Sequence, residues 1–197
     1  YRVPGFEKLS LRQKQLIYYL SQAALEGRDI LYHQNGKYNL PVRRLLEAVH
    51  VAYKGPRDTD EFRAFEVYLK RVWFANGIHH HYSCDKFVPG FTPDYLRSLV
   101  ESLPADALPL AEGETCTELC NRLFPVIFDP EVMPKRVNQA DGEDLILTSA
   151  ANYYEGVAQQ EAEDFYAAMK TPGETEPVMY GMNSRLVKKD GVVQEEV

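Results

Sequence analysis

Ser10-Leu11-Arg12-Gln13 carries the capping-box pattern, Asp58-x-x-Glu61 repeats it, Thr92-Pro93 places a cap before a first-turn proline, and Thr115-Cys116-Thr117-Glu118 is a capping box again. Behind each cap, apolar residues recur at helical spacing. Leu16, Ile17, Leu20, Ala23 and Ala24 follow the first, with Gly27 as a stop, and Phe62, Phe65, Leu69 and Val72 follow the second, with Gly77 closing. Leu96, Leu99, Val100 and Leu103 follow the third, and Leu119, Leu123 and Val126 the fourth. Pro41 fits the first turn of a further helix bearing Val42, Leu45, Leu46 and Val49 on one face. Another runs from about Val157 through Ala162, Phe165, Tyr166 and Met169 to a stop at Thr171-Pro172-Gly173. Pro104, Pro109, Gly113, Pro125, Pro130 and Pro134 keep the connections in the middle short or irregular.

This recurrence commits most of the chain to helices. The pattern changes only at the end, where Asn183 to Lys188 alternates like a strand, Lys189-Asp190-Gly191 reads as a hairpin turn and Val192-Val193 starts a return strand. Helices followed by an antiparallel element predict an α+β, mostly α fold, with a helical part over residues 1–175 and a hairpin starting in 176–197.

The chain of 197 residues is long enough for one large domain with a real core. Its net charge of −7 argues against nonspecific binding to nucleic acid, since no basic patch offsets phosphate repulsion. No run of 18 apolar residues is present, so no membrane span is expected. Three Cys without a framework spacing predict free thiols, which favours a reducing, cytoplasmic setting. Cys116 and Cys120 stack on one helical face as small buried hydrophobes. The start at Tyr1 rather than Met, and a return strand that breaks off at Val197, suggest a piece of something longer, so an exported or lipid-anchored parent stays open. Thirteen Tyr tilt the surface toward peptide or sugar clefts.

Chemistry-bearing residues concentrate between Tyr68 and Pro89, which holds the only Trp, a run of three His and Cys84. Consecutive His side chains point apart in regular structure, but in a loop His79 and His81 could converge with Cys84 or Asp85 on a metal. The simpler reading packs the histidines against Trp73 or Tyr82 and makes Asp85-Lys86 a local ion pair. Glu161, Glu163 and Asp164 form a solvated acidic face more readily than a catalytic pair. Tyr153-Tyr154 and Tyr180-Gly181-Met182-Asn183 are binding candidates, Gly181 permitting close backbone approach and Asn183 able to donate to and accept from a peptide unit. No His-Glu-x-x-His, glycine-rich phosphate loop or Gly-x-Ser-x-Gly occurs.

Leu16-Ile17-Tyr18-Tyr19-Leu20-Ser21-Gln22-Ala23-Ala24, then Asn76-Gly77 through Tyr82 with Asp85-Lys86-Phe87-Val88-Pro89, and finally Tyr180-Gly181-Met182-Asn183-Ser184-Arg185-Leu186 resemble, in the same order, the N-terminal region of the dipeptidyl peptidase III family of zinc metallopeptidases. The resemblance implies a parent that releases dipeptides from the N-termini of short peptides. It also implies two lobes around a wide cleft, with zinc held in the other lobe by a His-Glu-x-x-Gly-His helix and a downstream Glu. This chain would be the start of the non-zinc lobe, and its hairpin part of an incomplete small β-barrel. The zinc helix is not in the sequence, so no catalytic or metal residue carries over, no zinc is expected in this piece, and alone it should be inactive. Its expected partners are a short peptide substrate and the remaining C-terminal lobe. Asn76, Tyr82, Asp85, Tyr180 and Asn183 are the expected cleft-facing, substrate-binding positions. Two other readings stand beside this one: a noncatalytic peptide- or protein-binding scaffold module, and a small metal-binding domain centred on His79, His81 and Cys84.

Overall fold

Hydrogen bonds at the helix starts realise most of the predicted caps. The computed structural model describes residues 2–173 and 184–196. In α1 (Leu11–Glu26), Ser10 Oγ accepts from the Gln13 N–H while the Gln13 side chain accepts from the Ser10 N–H, at 2.9 Å. Thr115 and Glu118 make the same reciprocal pair at the start of α6 (Cys116–Phe128), and Thr92 caps α5 (Pro93–Glu101). For α4 (Asp60–Ala75) the cap is Thr59, whose hydroxyl accepts from the Phe62 N–H at 3.2 Å, one residue beyond the expected Asp58.

Two elements depart from the pattern. Gly27 caps the end of α1 as expected, but a helix the periodicity did not show, α2 (Arg28–Asn35), follows at once, before α3 (Asn39–Ala52). Pro125 lies inside α6 rather than in a connection; it lacks the N–H that would bond one turn back, and the helix still runs to Phe128.

The core forms where α3, α4, α5 and α6 face one another. Val42, Leu45, Leu46, Val49, Phe62, Phe65, Leu69, Val72, Leu96, Leu99, Leu119 and Leu123 are buried there. Against this, α1 buries none of its residues: Leu16 is 58% exposed and Leu20 60%. Its apolar stripe exists but does not face inward.

A second, smaller core gathers Val157, Ala162 and Leu186 beneath α7 (Gln159–Met169). It lies against an open three-stranded sheet of β1 (Tyr154–Glu155), β2 (Arg185–Lys189) and β3 (Val192–Glu196). β1 pairs parallel with β2, Tyr154 opposite Leu186, and β2 pairs antiparallel with β3, Lys189 opposite Val192. The hairpin loop is Asp190-Gly191, both at positive φ (51° and 81°), as a two-residue loop between right-twisted strands requires. The class is therefore α+β, mostly α, with a mixed sheet that is not closed.

Candidate functional site

The corner after α4 is built by left-handed backbone and cross-chain pairing. Asn76 ends α4 at φ 52°, Gly77 follows at φ 153°, and the Gly77 N–H returns to the Val72 carbonyl at 3.1 Å. Residues 78–87 then fold back on themselves. Phe87 N–H donates to the Ile78 carbonyl at 2.8 Å and His80 N–H to the Asp85 carbonyl at 2.7 Å. The segment after α6 adds a third line of chain: Lys86 N–H donates to the Pro134 carbonyl at 3.1 Å, and Arg136 N–H to the Cys84 carbonyl at 2.9 Å.

The three histidines have separate fates. His79 is buried, with Nε2 2.8 Å from the Met133 carbonyl oxygen. A carbonyl only accepts, so Nε2 carries the proton. Burial pulls the His79 pKa down to about 4, against the bond to Met133 that favours the protonated ring. His80 Nδ1 accepts from the N–H groups of Tyr82 and Ser83, each at 3.2 Å, and its ring stacks on His81 with centroids 4.7 Å apart. His79, His81 and Cys84 therefore do not converge. Among the described residues no group of three or more His, Cys, Asp or Glu side chains is placed to hold a metal ion.

Asp85 and Lys86 do not pair with each other. Asp85 is salt-bridged to Lys135, and that hydrogen bond, more than any other influence, holds its carboxyl below the usual range. Lys86 turns inward to donate to the carbonyls of Asp129 (2.6 Å) and Val132 (2.8 Å). Burial draws its pKa down to about 8, against the negative charge of Asp129, which favours the charged form.

Among the expected cleft positions, Asn76 is a helix cap whose carbonyl accepts from Asn35 Nδ2 at 3.1 Å. Tyr82 is 84% exposed, its ring centroid 4.2 Å from that of His81, and is the most available of the three that the structure describes. Asp85 stands three residues on, at the foot of the same corner. Tyr180 and Asn183, with Gly181 and Met182, lie outside the described residues.

Tyr153 and Tyr154 line a cavity of about 610 Å³ with Ile146, Ala162, Tyr166 and Lys170. Tyr153 also borders a second cavity, of about 410 Å³, between α2 and the sheet, where Arg185 and Glu196 lie. The first is shaped by a residue that sequence reasoning missed. Asp144 Oδ1 accepts from the N–H groups of Ile146 and Leu147, and Oδ2 accepts from the Gln159 N–H at 3.0 Å. Those backbone bonds hold the Asp144 carboxyl below its ordinary pKa. One side chain thus folds the loop and caps α7. The acidic residues of α7 are dispersed: Glu161 pairs with Lys188, Glu163 accepts from Gln159 at 2.8 Å and Asp164 from Gln160 at 2.9 Å.

Cys84, Cys116 and Cys120 are free thiols, and burial raises Cys120 to about 11. No helix among the described residues is long and apolar enough to cross a membrane. No protein-family model and no curated protein matches this sequence.

Proposed function

We propose that this chain is the N-terminal part of a zinc-dependent dipeptidyl peptidase and forms one wall of its peptide cleft. The observation that carries this reading is an open mixed sheet whose first strand borders a tyrosine-lined apolar cavity. Unpaired strand edges recognise extended peptide backbone, and an apolar cavity beside such an edge takes a side chain. The ordered resemblance of the three segments supplies the reaction class. An exposed Tyr82 on a hydrogen-bonded corner adds a flat, amphipathic contact of the kind peptide sites use.

The described histidines of this corner do not assemble into a zinc site, since His79 Nε2 is committed to Met133 and His81 stacks against His80. In this reading zinc belongs to the lobe carrying His-Glu-x-x-Gly-His, and this chain binds and orients peptide. The test is zinc-dependent release of a chromogenic group from a dipeptidyl amide, comparing the full-length gene product with the 197-residue chain. Activity in the full-length protein alone is expected. Silence in both, with zinc supplied and several dipeptides tried, would transfer the assignment to a noncatalytic peptide- or protein-binding scaffold, which the same cavity and strand edge also suit.

A further inference from the structure

The outer face of α4 and the corner that follows it enclose an open pocket of about 620 Å³, separate from the cavities beside the sheet. Its apolar lining is Val67, Phe74 and Phe87, with Phe74 73% exposed. His80 and His81 close one side, and the His81 ring meets Phe74 edge-on at 5.0 Å. Lys70 and Arg71 supply positive charge at its rim.

The charges are what make the pocket selective. Arg71 has no hydrogen bond or ion pair to any described residue, and Lys70 reaches only Glu66, at 3.9 Å. No Asp or Glu among the described residues lines the pocket, although the chain as a whole carries −7. An unpaired guanidinium presents a planar fork that matches a carboxylate through two parallel hydrogen bonds. Beside it, Phe74 and Phe87 present ring surface that is stabilised only when another apolar group covers it. No glycine is among the described residues that line the pocket, so the glycine-rich loop that cradles a polyphosphate is not found among them.

We infer that this pocket receives the C-terminal carboxylate of a short peptide together with an aromatic last side chain, Arg71 and Lys70 holding the carboxylate and Phe74, Phe87 and His81 covering the ring. The run of ring contacts from Phe74 through His81 to Tyr82 joins the pocket to the exposed tip of the corner, so a peptide lying across Tyr82 would place its end here. The assignment rests on the reading of this chain as a peptide-cleft wall and names which end of the peptide it holds.

The test is an NMR titration of the isotope-labelled 197-residue chain, following the imidazole signals of His80 and His81. The probes are the tripeptide Ala-Ala-Phe, its C-terminal amide and adenosine monophosphate. The free acid should shift both imidazoles. The amide and the variant Arg71→Gln should each weaken binding about tenfold, the scale of one charge-assisted hydrogen bond. Phe74→Ala should abolish the preference of Ala-Ala-Phe over Ala-Ala-Ala. Arg71 and Phe74 are exposed, and thermal melts verify that both variants stay folded. Equal affinity for acid and amide overturns the assignment. So does the absence of any shift at about 10 mM peptide, where even a weak specific site would be occupied. Stronger binding of the nucleotide overturns it in favour of a nucleotide pocket. None of these results bears on zinc-dependent dipeptide release, whose failure would remove the peptidase reading and leave a measured carboxylate pocket standing.

Discussion

A methyl group on Gly77 would sit 2.4 Å from Nδ2 of Asn39, a buried side chain whose Oδ1 accepts from the Ile78 N–H at 3.2 Å. The start of α3 and the end of α4 therefore meet through one amide, and the close approach admits no Cβ. Gly77→Ala should destabilise the fold by about 3 kcal/mol, combining overpacking with a backbone that L side chains rarely adopt. Asn39→Ala should cost about 1–3 kcal/mol by leaving the Ile78 N–H buried without a partner. Urea unfolding of both variants checks this. The double variant should cost less than the sum, because truncating Asn39 vacates the space that a Cβ at position 77 needs.

His79 should make stability fall as the solution turns mildly acidic. Its pKa is about 4 in the folded chain and near the ordinary 6.5 once unfolded, so between those values the unfolded state binds more protons. Stability is full above about pH 6.5 and declines toward pH 4, by at most about 3 kcal/mol. His79→Gln should flatten that slope while losing some stability at neutral pH. Denaturant midpoints on either side of the unfolded pKa, and midway between the two values, read the difference.

Lys86 should behave as a half-buried structural cation. Lys86→Met keeps the stem but strips the carbonyls of Asp129 and Val132 of their donor. The expected cost is about 1–3 kcal/mol. Hydrogen exchange should quicken first in residues 84–86 and 134–136, whose backbones pair.

Exposed apolar positions of α1 should tolerate charge. Leu16→Glu and Leu20→Glu should leave the melting temperature of this chain within about 2 °C, whereas Leu45→Ala, fully buried, should cost about 2–5 kcal/mol.

Tyr82→Ala should leave stability unchanged, since the side chain is 84% exposed. On the proposed peptidase reading, the same change in the full-length protein should raise KM for peptide roughly tenfold with kcat little altered, the pattern of lost uniform binding. Asp85→Asn should raise KM less, because the carboxylate is already engaged by Lys135.

Caps and turns were legible because their chemistry is local: Ser10 with Gln13, Thr115 with Glu118, Asp190-Gly191 between its strands. Asp58 and Thr59 differ by one position, and a cap reader sees two acceptable residues side by side. The α1 stripe shows what periodicity leaves out, since spacing names a face but not whether anything packs on it. Arg28–Asn35 was hidden because Gly27 reads as a stop, and Pro125 because its backbone cost is outweighed by the burial of Phe124, Val126 and Ile127 around it. Tyr82 was nominated from its residue type and is exposed, whereas Asn39 and Asp144 gave no such signal. Each is a single polar side chain bonding backbone 39 or 15 residues away, and no short spacing encodes that.

The corner bearing Tyr82 is rooted in two helix ends, through Asn76 and Gly77 to α4 and through Lys86, Met133 and Pro134 to α6. It is therefore a lever with a double fulcrum rather than a loose loop. A change in the angle between α4 and α6 would swing its aromatic tip as one piece, and the tip's position is a gauge of how those helices sit.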